Sequence, residues 1–556
     1  MLLLAALLTA GAAGSSDSAR WSTAPSRHSV RWGELLPEPG LNQNKEPTYH
    51  NAMPIGNGHM VANVNFDAAN DTLALMITAS SFWLEDGEMG KVGLLTLQLP
   101  PRGGAPLGPG FSQTFDPQDA TVRLSVPAGH TGAPALDIVT YVDAHTDSLV
   151  VSIRPPVVGA TYKLTLLRPV AQQRQPNSDC SRFEVSADVL TSNGSALYHR
   201  NSLPANQTYM ARVLATENIP PLPVSEFDDP LNNRATGFKV AAVHAVAPIA
   251  SSTTFVATLL TAQTDTASQY VAALEKASAS YVSALTAESE FPPLSHRDFW
   301  ASKWARHSIE VTAANTTDES ASHTTKVISD MYVFQRFIEI SQARKPGYPV
   351  KFNGMLYGAA RPPHQDENAW GGLNWWQNMR LPYYNMLPAG DFDELKTMLT
   401  SFARSLPIAR QRTKAYFGFS GAWWPEYTQV FYGTEHPDGG VPLYGYRSGA
   451  NCSARNMSVQ GCSCSSCDEE PPLWHSDDRW NGYNRQGSLD LSLMILDHHA
   501  YTGEANPELL TIPVEVVEFY SNLWGATKKS ETDDTMVFHP TQALETWQCP
   551  GWPVDP

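Results

Sequence analysis

Short hydrophobic runs alternate with turn-forming residues along the first half of the chain. Runs such as DTLALMIT, ATVRLSV, LDIVTYVDA and SLVVSIRP are bounded by Gly, Pro, Asn and Asp, and they recur about every eight to twelve residues. Strands of this length and spacing are typical of antiparallel sandwiches. We therefore predict an antiparallel β-sandwich domain over residues 30–255.

The hydrophobic period changes to that of a helix after this region. DTASQYVAALEKASASYVSALTAESE has helical spacing and high helix propensity. With HRDFWASKWARHSIEV it predicts a helical linker over residues 256–318. Further helical segments predict a helical domain over residues 319–556. They are ESASHTTKVISDMYVFQRFIEISQAR, LNWWQNMRLPYYNML with a kink or break at Pro382, DFDELKTMLTSFARSLPIARQRTKAYFG, GSLDLSLMILDHHAYTG and PVEVVEFYSNLWGAT.

Long aromatic-rich loops separate some of these helices, which indicates an (α/α)6 toroid. The predicted fold class is α+β multidomain, with an N-terminal antiparallel β-sandwich followed by this toroid. The chain supplies fewer helices than a complete toroid needs. We therefore expect the toroid to be incomplete at its C-terminus, and the 556-residue chain to be inactive or nearly so without an extension.

Length and charge narrow the function classes. At 556 residues the chain is long enough for two or more domains. The formal net charge is −17, from 38 basic and 55 acidic residues, and nucleic acid or an anionic membrane surface would repel such a chain. We expect no nucleic-acid partner and no membrane insertion, and a neutral ligand fits the charge. The oligomeric state is left open.

The N-terminus, MLLLAALLTAGAAGSSDSAR, carries a short apolar run followed by small residues. This pattern predicts a signal peptide over residues 1–16 and a secreted or secretory-lumen protein. N-x-[ST] sequons agree with that route, because they are glycosylation sites in secreted chains. They lie at Asn70, Asn193, Asn206, Asn315, Asn451 and Asn456.

Most of the cysteines crowd into one short segment. These are Cys452, Cys462, Cys464 and Cys467. In a reducing compartment such a cluster would indicate zinc, whereas in a secreted chain disulfides within a surface loop are favoured. Whether Cys180 and Cys549 pair with each other is open.

The stretch GGLNWWQNMRLPYYNMLPAGDFDEL combines aromatic rings with uncharged amides. A hydrophobic core avoids unsatisfied amides, and a solvated surface rarely exposes tryptophans. A sugar site uses both, since a pyranose has apolar C–H faces and a rim of hydroxyls. Packing between helices is the alternative role for Trp375 and Trp376.

Carboxylates beside aromatic residues are candidates for acid–base chemistry, because glycoside hydrolysis uses two carboxyl groups. Glu426 follows Trp424 in GAWWPEY, and Glu545 precedes Trp547 in HPTQALETWQ, downstream of His539. Capping of a helix N-terminus is the alternative role for Glu426. Further candidates, which could equally be solvated or ion-paired, are Asp366, Glu367, Asp477 and Asp478.

Two other hydrolase classes lack their motifs. The sequence has no G-x-S-x-G elbow and no alternating βαβ pattern, which argues against a serine hydrolase. It has no H-E-x-x-H motif of a metallohydrolase. His498 and His499 are adjacent on a predicted helix, so their side chains point to different faces. We expect no metal and no other cofactor.

Motifs in both halves resemble a known family. NAMPIGNGHMVANVNF and DTLALMITASSFWLEDGEMGKVGLLTLQLPP resemble the DUF5703-type β-sandwich of secreted relatives of glycoside hydrolase family 95. The segment from GGLNWWQNMR through GAWWPEY to LETWQ is similar to their six-hairpin (α/α)6 catalytic domain. The resemblance spans residues 30–550. It implies an inverting glycoside hydrolase that acts on α-linked sugars, fucoside- or galactoside-like as in α-L-fucosidases.

The resemblance also implies roles for individual residues. Glu545 matches the general acid, and Asn374 matches one of the amides that activate the water, with a partner Asp expected on a helix beyond this chain. The spacing departs from the family's Asn pair, and tryptophans stand where smaller apolar residues are usual, so the sugar preference is open. The residues assigned to substrate binding are Trp375, Trp376, Gln377, Asn378, Trp424, Glu426, Trp547 and His539.

Two further functions compete with hydrolysis. One is a glycan-binding relative that has lost catalysis, and the other is a polysaccharide lyase, since some lyases pair a toroid with a sandwich. A lyase would act beside a uronate with Tyr, His and Arg. The sandwich-first order and the LETWQ motif argue against it.

Overall fold

The computed structural model describes the chain in segments, and all structural statements refer to these. They are residues 28–32, 52–80, 92–104, 107–155, 163–167, 189–190, 196–201, 237–245, 252–262, 267–288, 291–306, 308–315, 317–344, 349–351, 354–356, 374–424, 426–428 and 486–524. The predicted signal peptide, all six cysteines and the LETWQ motif lie outside them. So do the predicted site residues His539, Glu545 and Trp547 and the carboxylates Asp366, Glu367, Asp477 and Asp478.

The N-terminal region is built from strands, as the spacing of hydrophobic runs predicts. In chain order they are β1 (Val30–Trp32), β2 (Met53–Gly56), β3 (Met60–Asp67), β4 (Thr72–Ala79), β5 (Gly93–Gln98), β6 (Ser112–Asp116), β7 (Thr121–Val126), β8 (Leu136–Val142), β9 (Ser148–Arg154), β10 (Lys163–Leu167), β11 (Val189–Leu190), β12 (Ala196–Asn201), β13 (Gly237–Ala245) and β14 (Thr253–Ala262).

These strands form two sheets. The larger has the order β1-β6-β7-β8-β9-β14-β13-β12-β11 and the smaller the order β10-β5-β4-β3-β2. Each pairing between described strands is antiparallel. The prediction of antiparallel sheets is therefore confirmed.

The two sheets pack face to face around a shared hydrophobic core. Successive strand residues point to opposite faces, and β5 accordingly alternates buried and half-buried residues. Ile55 and Leu75 of the smaller sheet belong to the same buried cluster as Val122 and Ile138 of the larger one. Removal of this apolar surface from water is the main stabilising contribution to such a sandwich.

The turn between β2 and β3 docks the sandwich onto the helical region. Gly58 has a φ of +91°, a left-handed conformation that glycine adopts without steric cost. The Asn57 side-chain oxygen accepts the His59 N–H at 3.1 Å, and the Gly58 N–H donates to the Ser341 carbonyl at 2.6 Å. A Cβ on Gly58 would lie 2.3 Å from the Arg344 Cβ, so this approach requires glycine.

Arg344 reinforces the same contact from the helical side. Its Nε donates to the Asn57 carbonyl at 3.0 Å, and its Nη2 donates to the Ala144 carbonyl. The guanidinium lies 4.0 Å from the centre of the Phe299 ring, within cation–π range. Burial lowers the pKa of Arg344, and the charge of Glu394 opposes this shift. We call the 56–58 turn with Arg344 the interdomain clasp.

Two helices connect the halves, α1 (Ala267–Ala287) and α2 (Leu294–Trp304), whereas β14 runs to Ala262 and so extends past residue 255, the predicted end of the sandwich. Trp300 of α2 is fully buried in the sandwich core. His296 of α2 accepts the Ala144 N–H on Nδ1 at 3.1 Å, so Nε2 carries the proton that it donates to the Asp119 carbonyl at 2.7 Å. Burial lowers the pKa of His296, consistent with this neutral tautomer.

The second half is helical, as predicted. Its helices are α3 (Glu319–Ala343), α4 (Trp376–Met379), α5 (Leu381–Tyr384), α6 (Met386–Ala389), α7 (Phe392–Arg404), α8 (Leu406–Phe417), α9 (Gly487–Thr502) and α10 (Pro507–Trp524). Residues from α6 to α10 belong to one buried hydrophobic cluster. Trp376, Met379 and Tyr383 belong to the same cluster. None of the helices in the described segments is both long and apolar enough to cross a membrane.

Two predicted helices differ from the observed ones. The sequence predicts a helix with a kink or break at Pro382 here, and the short helices α4, α5 and α6 show such breaks, but Asn374 and Trp375 form a two-residue strand instead of helix. The predicted helix over residues 391–418 divides at Ser405 into α7 and α8. Both divisions lie at a proline, Pro382 or Pro407, which has no N–H to donate to the preceding turn.

Buried ion pairs hold α7 against its neighbours. Arg336 of α3 makes two hydrogen bonds with Asp391, at 2.8 and 2.7 Å. Lys303 of α2 lies 2.5 Å from Glu394 of α7. Such pairs fix geometry rather than add much net stability, but loss of one partner leaves a buried charge at a cost of about 3–5 kcal/mol.

Candidate functional site

A two-stranded ladder brings the NWWQN and AWWPEY motifs together. It consists of β15 (Asn374–Trp375) and β16 (Tyr427–Thr428), paired antiparallel with Asn374 opposite Thr428. Residues directly opposite each other in an antiparallel pair have side chains on the same face. The Asn374 amide and the Thr428 hydroxyl are therefore neighbours on one face of the ladder.

Glu426 joins the ladder to the helix that follows it. Its carbonyl accepts the Trp376 N–H at 2.7 Å, and its carboxylate oxygen Oε1 accepts the Gln377 N–H at 2.7 Å. These N–H groups open α4, and a carboxylate at a helix N-terminus satisfies donors that have no partner within the helix. The capping role that the sequence left open for Glu426 is thus present, although the helix is α4 rather than one that follows Glu426 itself.

Trp376 packs against the start of α9. Its residue exposure is 4%, and a Cβ on Gly487 would lie 2.8 Å from its indole Cδ1. The ring of Phe402 stands edge-on between Trp376 and Trp424, with centroid distances of 5.5 and 5.8 Å. Edge-to-face pairs of this kind add stability beyond the burial of area. Trp376 therefore packs in the core, the alternative role that the sequence left open.

Trp424 is held by two serine hydroxyls. Its indole Nε1 donates to the Ser405 Oγ at 2.8 Å, and its backbone N–H donates to the Ser488 Oγ at 3.0 Å. All three residues are buried. Because each polar group here has a partner, the Trp424 ring is fixed in orientation.

These elements enclose a small cavity between the ladder and α9. Its volume is about 10 Å³, which is room for about one water molecule. Among the described residues, the buried Asn374 Oδ1 and Thr428 Oγ1 have no hydrogen-bond partner. The lining residues are Asn374, Trp376, Met379, Phe402, Trp424, Glu426, Thr428, Gly487, Ser488 and Leu491.

The cavity can hold a small polar molecule in a defined orientation. An amide oxygen accepts a hydrogen bond, and a hydroxyl both donates and accepts. A buried polar atom without a partner is costly, so these groups favour a polar occupant. The apolar faces of Trp376, Phe402 and Trp424 exclude further water. The arrangement suits a single oriented water beside a carboxylate.

The structure gathers part of the predicted site. Asn374, Trp376, Trp424 and Glu426 line the cavity together. Trp375 is buried but follows Asn374 in the strand, so its side chain points to the opposite face.

The neighbouring amides are less buried. Gln377 and Asn378 are half-buried and are not lining residues. The Gln377 Oε1 is buried, and among the described residues it has no hydrogen-bond partner.

Six lining residues were not predicted from the sequence, the apolar Met379, Phe402 and Leu491 and three small residues. Thr428, Gly487 and Ser488 carry no aromatic or carboxylate signal of their own. Thr428 follows Glu426 by two residues, so it would share a strand face with Glu426, a signal that alternation could have supplied. Gly487 and Ser488 open α9 and reach the site through tertiary packing alone.

The two adjacent histidines behave as the helical period predicts. His498 is buried against the Phe392 ring, whereas His499 binds the Glu504 carbonyl at 2.9 Å. Burial lowers the pKa of His498. Within the described segments, no group of three or more His, Cys, Asp or Glu side chains could hold a metal ion.

Comparisons with known proteins extend these observations. A protein-family model described as "Domain of unknown function (DUF5703)" matches residues 43–309, which agrees with the resemblance of the N-terminal half. A search of curated proteins finds no match. A solved structure described as "Putative kojibiose phosphorylase from human microbiome" is similar at 11% sequence identity and a TM-score of 0.45. The similarity covers 89% of this chain and 61% of that chain, so this chain spans less than two thirds of that structure's length.

Proposed function

We propose that this chain carries the active site of a secreted glycoside hydrolase that acts on α-linked, fucoside- or galactoside-like sugars with inversion of configuration. The observation that supports the proposal is the cavity beneath the ladder, which has room for one water and is lined by Asn374, Thr428 and Glu426. Among the described residues, the buried Asn374 Oδ1 and Thr428 Oγ1 have no hydrogen-bond partner. Water is the nucleophile of inverting hydrolysis, and it needs orientation and a base.

The three polar groups have different roles toward that water. Asn374 and Thr428 orient it without being ionised. Glu426 accepts its proton as the water oxygen forms a bond with the anomeric carbon. The sequence resemblance implies a later Asp as base, but Glu426 is the carboxylate among the cavity's lining residues, and we assign it this role.

The leaving group needs a proton on the other side of the sugar. We assign this step to Glu545, which matches the general acid of the resembled family and precedes Trp547 in sequence. It gives its proton to the glycosidic oxygen as the bond from that oxygen to the anomeric carbon breaks. The cavity holds no more than a water, so the sugar itself would bind at the cavity mouth, beside Trp376.

Thr428→Val tests this assignment against a matched control. Thr428 and Thr413 are both buried, and among the described residues both hydroxyls lack a hydrogen-bond partner, but only Thr428 lines the cavity. The assay is release of reducing sugar by the full-length protein from a panel of α-glycosides. We expect Thr428→Val to lower kcat about tenfold, the value of one hydrogen bond, and Thr413→Val to leave it unchanged.

The same assay separates the competing functions. A glycan-binding protein would bind the panel and release nothing. A lyase would act on uronate polymers and give an unsaturated product with ultraviolet absorbance. Equal activity of the two threonine variants would contradict the proposed role of the cavity.

A further inference from the structure

The turn between β8 and β9 holds both sides of the interdomain clasp. On the sandwich side, the Asn57 side-chain amide donates to the Asp143 and Thr146 carbonyls at 2.9 and 2.8 Å. On the helical side, the Arg344 guanidinium donates to the Ala144 carbonyl. A shift of this turn would therefore weaken the clasp at both ends.

His296 of α2 holds the same turn, and it does so in its neutral form. The Ala144 N–H donates to its Nδ1 at 3.1 Å, while its Nε2 carries the proton that it donates to the Asp119 carbonyl at 2.7 Å. The Ala144 peptide is thus fixed through its N–H by His296 and through its carbonyl by Arg344. An imidazolium is a donor at both nitrogens, so a proton on Nδ1 would face the Ala144 N–H. Because two donors repel each other, protonation should push the turn away from α2.

Burial keeps His296 neutral against groups that favour its charge. The side chain is fully buried, and burial lowers the pKa of His296, whereas the hydrogen bond to the Asp119 carbonyl and the carboxylates of Asp143 and Asp119 raise it. The charge of His145 in the same turn acts in the direction of burial, and the Tyr141 ring of β8 packs on the imidazole at a centroid distance of 4.7 Å. When the turn opens, water reaches the imidazole and restores its ordinary value of 6.5. Opening of the turn is therefore coupled to uptake of a proton.

The histidine within the β2–β3 turn responds to acid in the opposite direction. His59 Nδ1 lies 2.8 Å from the Asp147 carboxylate. A proton on His59 would strengthen this contact, because hydrogen bonds between charged groups are stronger than neutral ones. His296, by contrast, loses an acceptor that the β8–β9 turn uses.

We propose that His296 is a pH switch, whose protonation releases the β8–β9 turn and with it the interdomain clasp. None of the residues that make these hydrogen bonds belongs to the two large hydrophobic clusters, so both cores stay folded when the clasp opens. Acid then loosens the contact between the sandwich and the helical region. The inference stands on the hydrogen bonds of this junction and is independent of the proposed hydrolysis.

Hydrogen–deuterium exchange of the full-length protein, read by mass spectrometry, measures this opening. Exchange is compared at about pH 7.5 and about pH 5, with correction for the intrinsic exchange rate at each pH. Peptides over residues 56–60 and 143–148 report the junction, and a peptide over β4 reports the sandwich core. The closed turn is favoured above pH 6.5, so the opening of the junction peptides should rise by up to about tenfold for each pH unit below 6.5, until the pKa of folded His296 is reached. The β4 peptide should not change.

His296→Asn tests the assignment, because an asparagine oxygen can take the place of Nδ1 as acceptor but the amide does not titrate. The junction peptides of this variant should differ by less than about twofold between the two pH values. His499→Asn is the matched control. His499 binds the Glu504 carbonyl at 2.9 Å outside the junction, and its variant should keep the wild-type response.

A wild-type pH response in His296→Asn would overturn the proposal. Wild-type junction peptides that open no more at the lower pH would overturn it as well. If His296→Asn does not fold, the wild-type exchange decides alone. Opening of the junction peptides while β4 stays protected supports the switch, whereas simultaneous opening of β4 shows global unfolding and contradicts it.

Discussion

The carboxylate of Glu426 accepts the backbone N–H of Gln377 at 2.7 Å, across 49 positions of sequence. This bond ties the AWWPEY motif to the NWWQN motif and fixes the side chain of Glu426, which lines the same cavity as Asn374 and Thr428. Two motifs that the sequence presents separately are therefore parts of one site.

Substitution of Glu426 separates its structural from its proposed chemical role. Glu426→Gln keeps an oxygen that can accept the Gln377 N–H, so the free energy of unfolding in urea should fall by less than about 1 kcal/mol. As a neutral amide it cannot take a proton, and kcat of the full-length protein should fall about 10²–10⁴-fold. Full activity of Glu426→Gln with an unchanged fold would show that Glu426 is not the base.

Trp376 supports the core, and its truncation should be costly. It is 4% exposed and lies in the central hydrophobic cluster of the helical region. Trp376→Ala should lower the free energy of unfolding by about 3–5 kcal/mol. Leu381→Ala is a control one turn away, since Leu381 is 58% exposed and its truncation should cost less than about 0.5 kcal/mol. Similar losses in urea unfolding for both variants would contradict the assigned burial of Trp376.

A side chain added at Gly58 of the interdomain clasp should clash with its neighbours, whereas one added at Gly104 should not. Gly58 and Gly104 have φ values of +91° and +71°, so alanine is strained at both. A Cβ on Gly58 would lie 2.8 Å from the Arg344 backbone, whereas one on Gly104 meets nothing within 4 Å. Gly58→Ala should therefore destabilise by about 1–3 kcal/mol more than Gly104→Ala. Equal losses in thermal unfolding would show that the clasp tolerates a side chain.

Glu339 makes stability depend on pH. Burial raises the pKa of Glu339 from 4.5 to about 7, against the opposing hydrogen bonds from Gln335 and Asn385. Between these values the folded state holds a proton that the unfolded state has lost, so the free energy of unfolding falls as pH rises. The loss attributable to Glu339 is about 3 kcal/mol between pH 4.5 and 7.

Glu339→Gln should remove this contribution, because the amide does not titrate. Urea unfolding at several pH values should then show a flatter dependence than the wild type between pH 4.5 and 7. Glu508→Gln, at an exposed position of α10, is the control and should leave the slope unchanged. A wild-type slope in Glu339→Gln would assign the pH dependence to other groups.

Local periodicity correctly predicted the strands and helices whose form depends mainly on their own sequence. The run SLVVSIRP contains β9, and ESASHTTKVISDMYVFQRFIEISQA coincides with α3. The stretch from Leu373 to Leu387 was less predictable, because Asn374 and Trp375 are extended by pairing with Tyr427 and Thr428. Nothing in the local sequence shows a partner strand about fifty residues away.

The site was predictable in kind but not in detail. Its aromatic–amide–carboxylate composition singled out Asn374, Trp376, Trp424 and Glu426, which meet at the cavity. Composition does not reveal that the Trp376 ring faces Gly487 or that Ser488 holds the Trp424 backbone, because these contacts form only when α9 packs on the ladder. The same reason kept Thr428 out of the prediction.

The most direct test of the central claim is the anomeric configuration of the first product, followed by ¹H NMR in the full-length protein on α-L-fucosides and α-galactosides. The account predicts that the released sugar appears first as the β-anomer, because a water held by Asn374, Thr428 and Glu426 attacks from the face opposite the leaving group. It also predicts that Glu426→Gln slows this release. First appearance of the α-anomer, or no release from any member of the panel, would contradict the account.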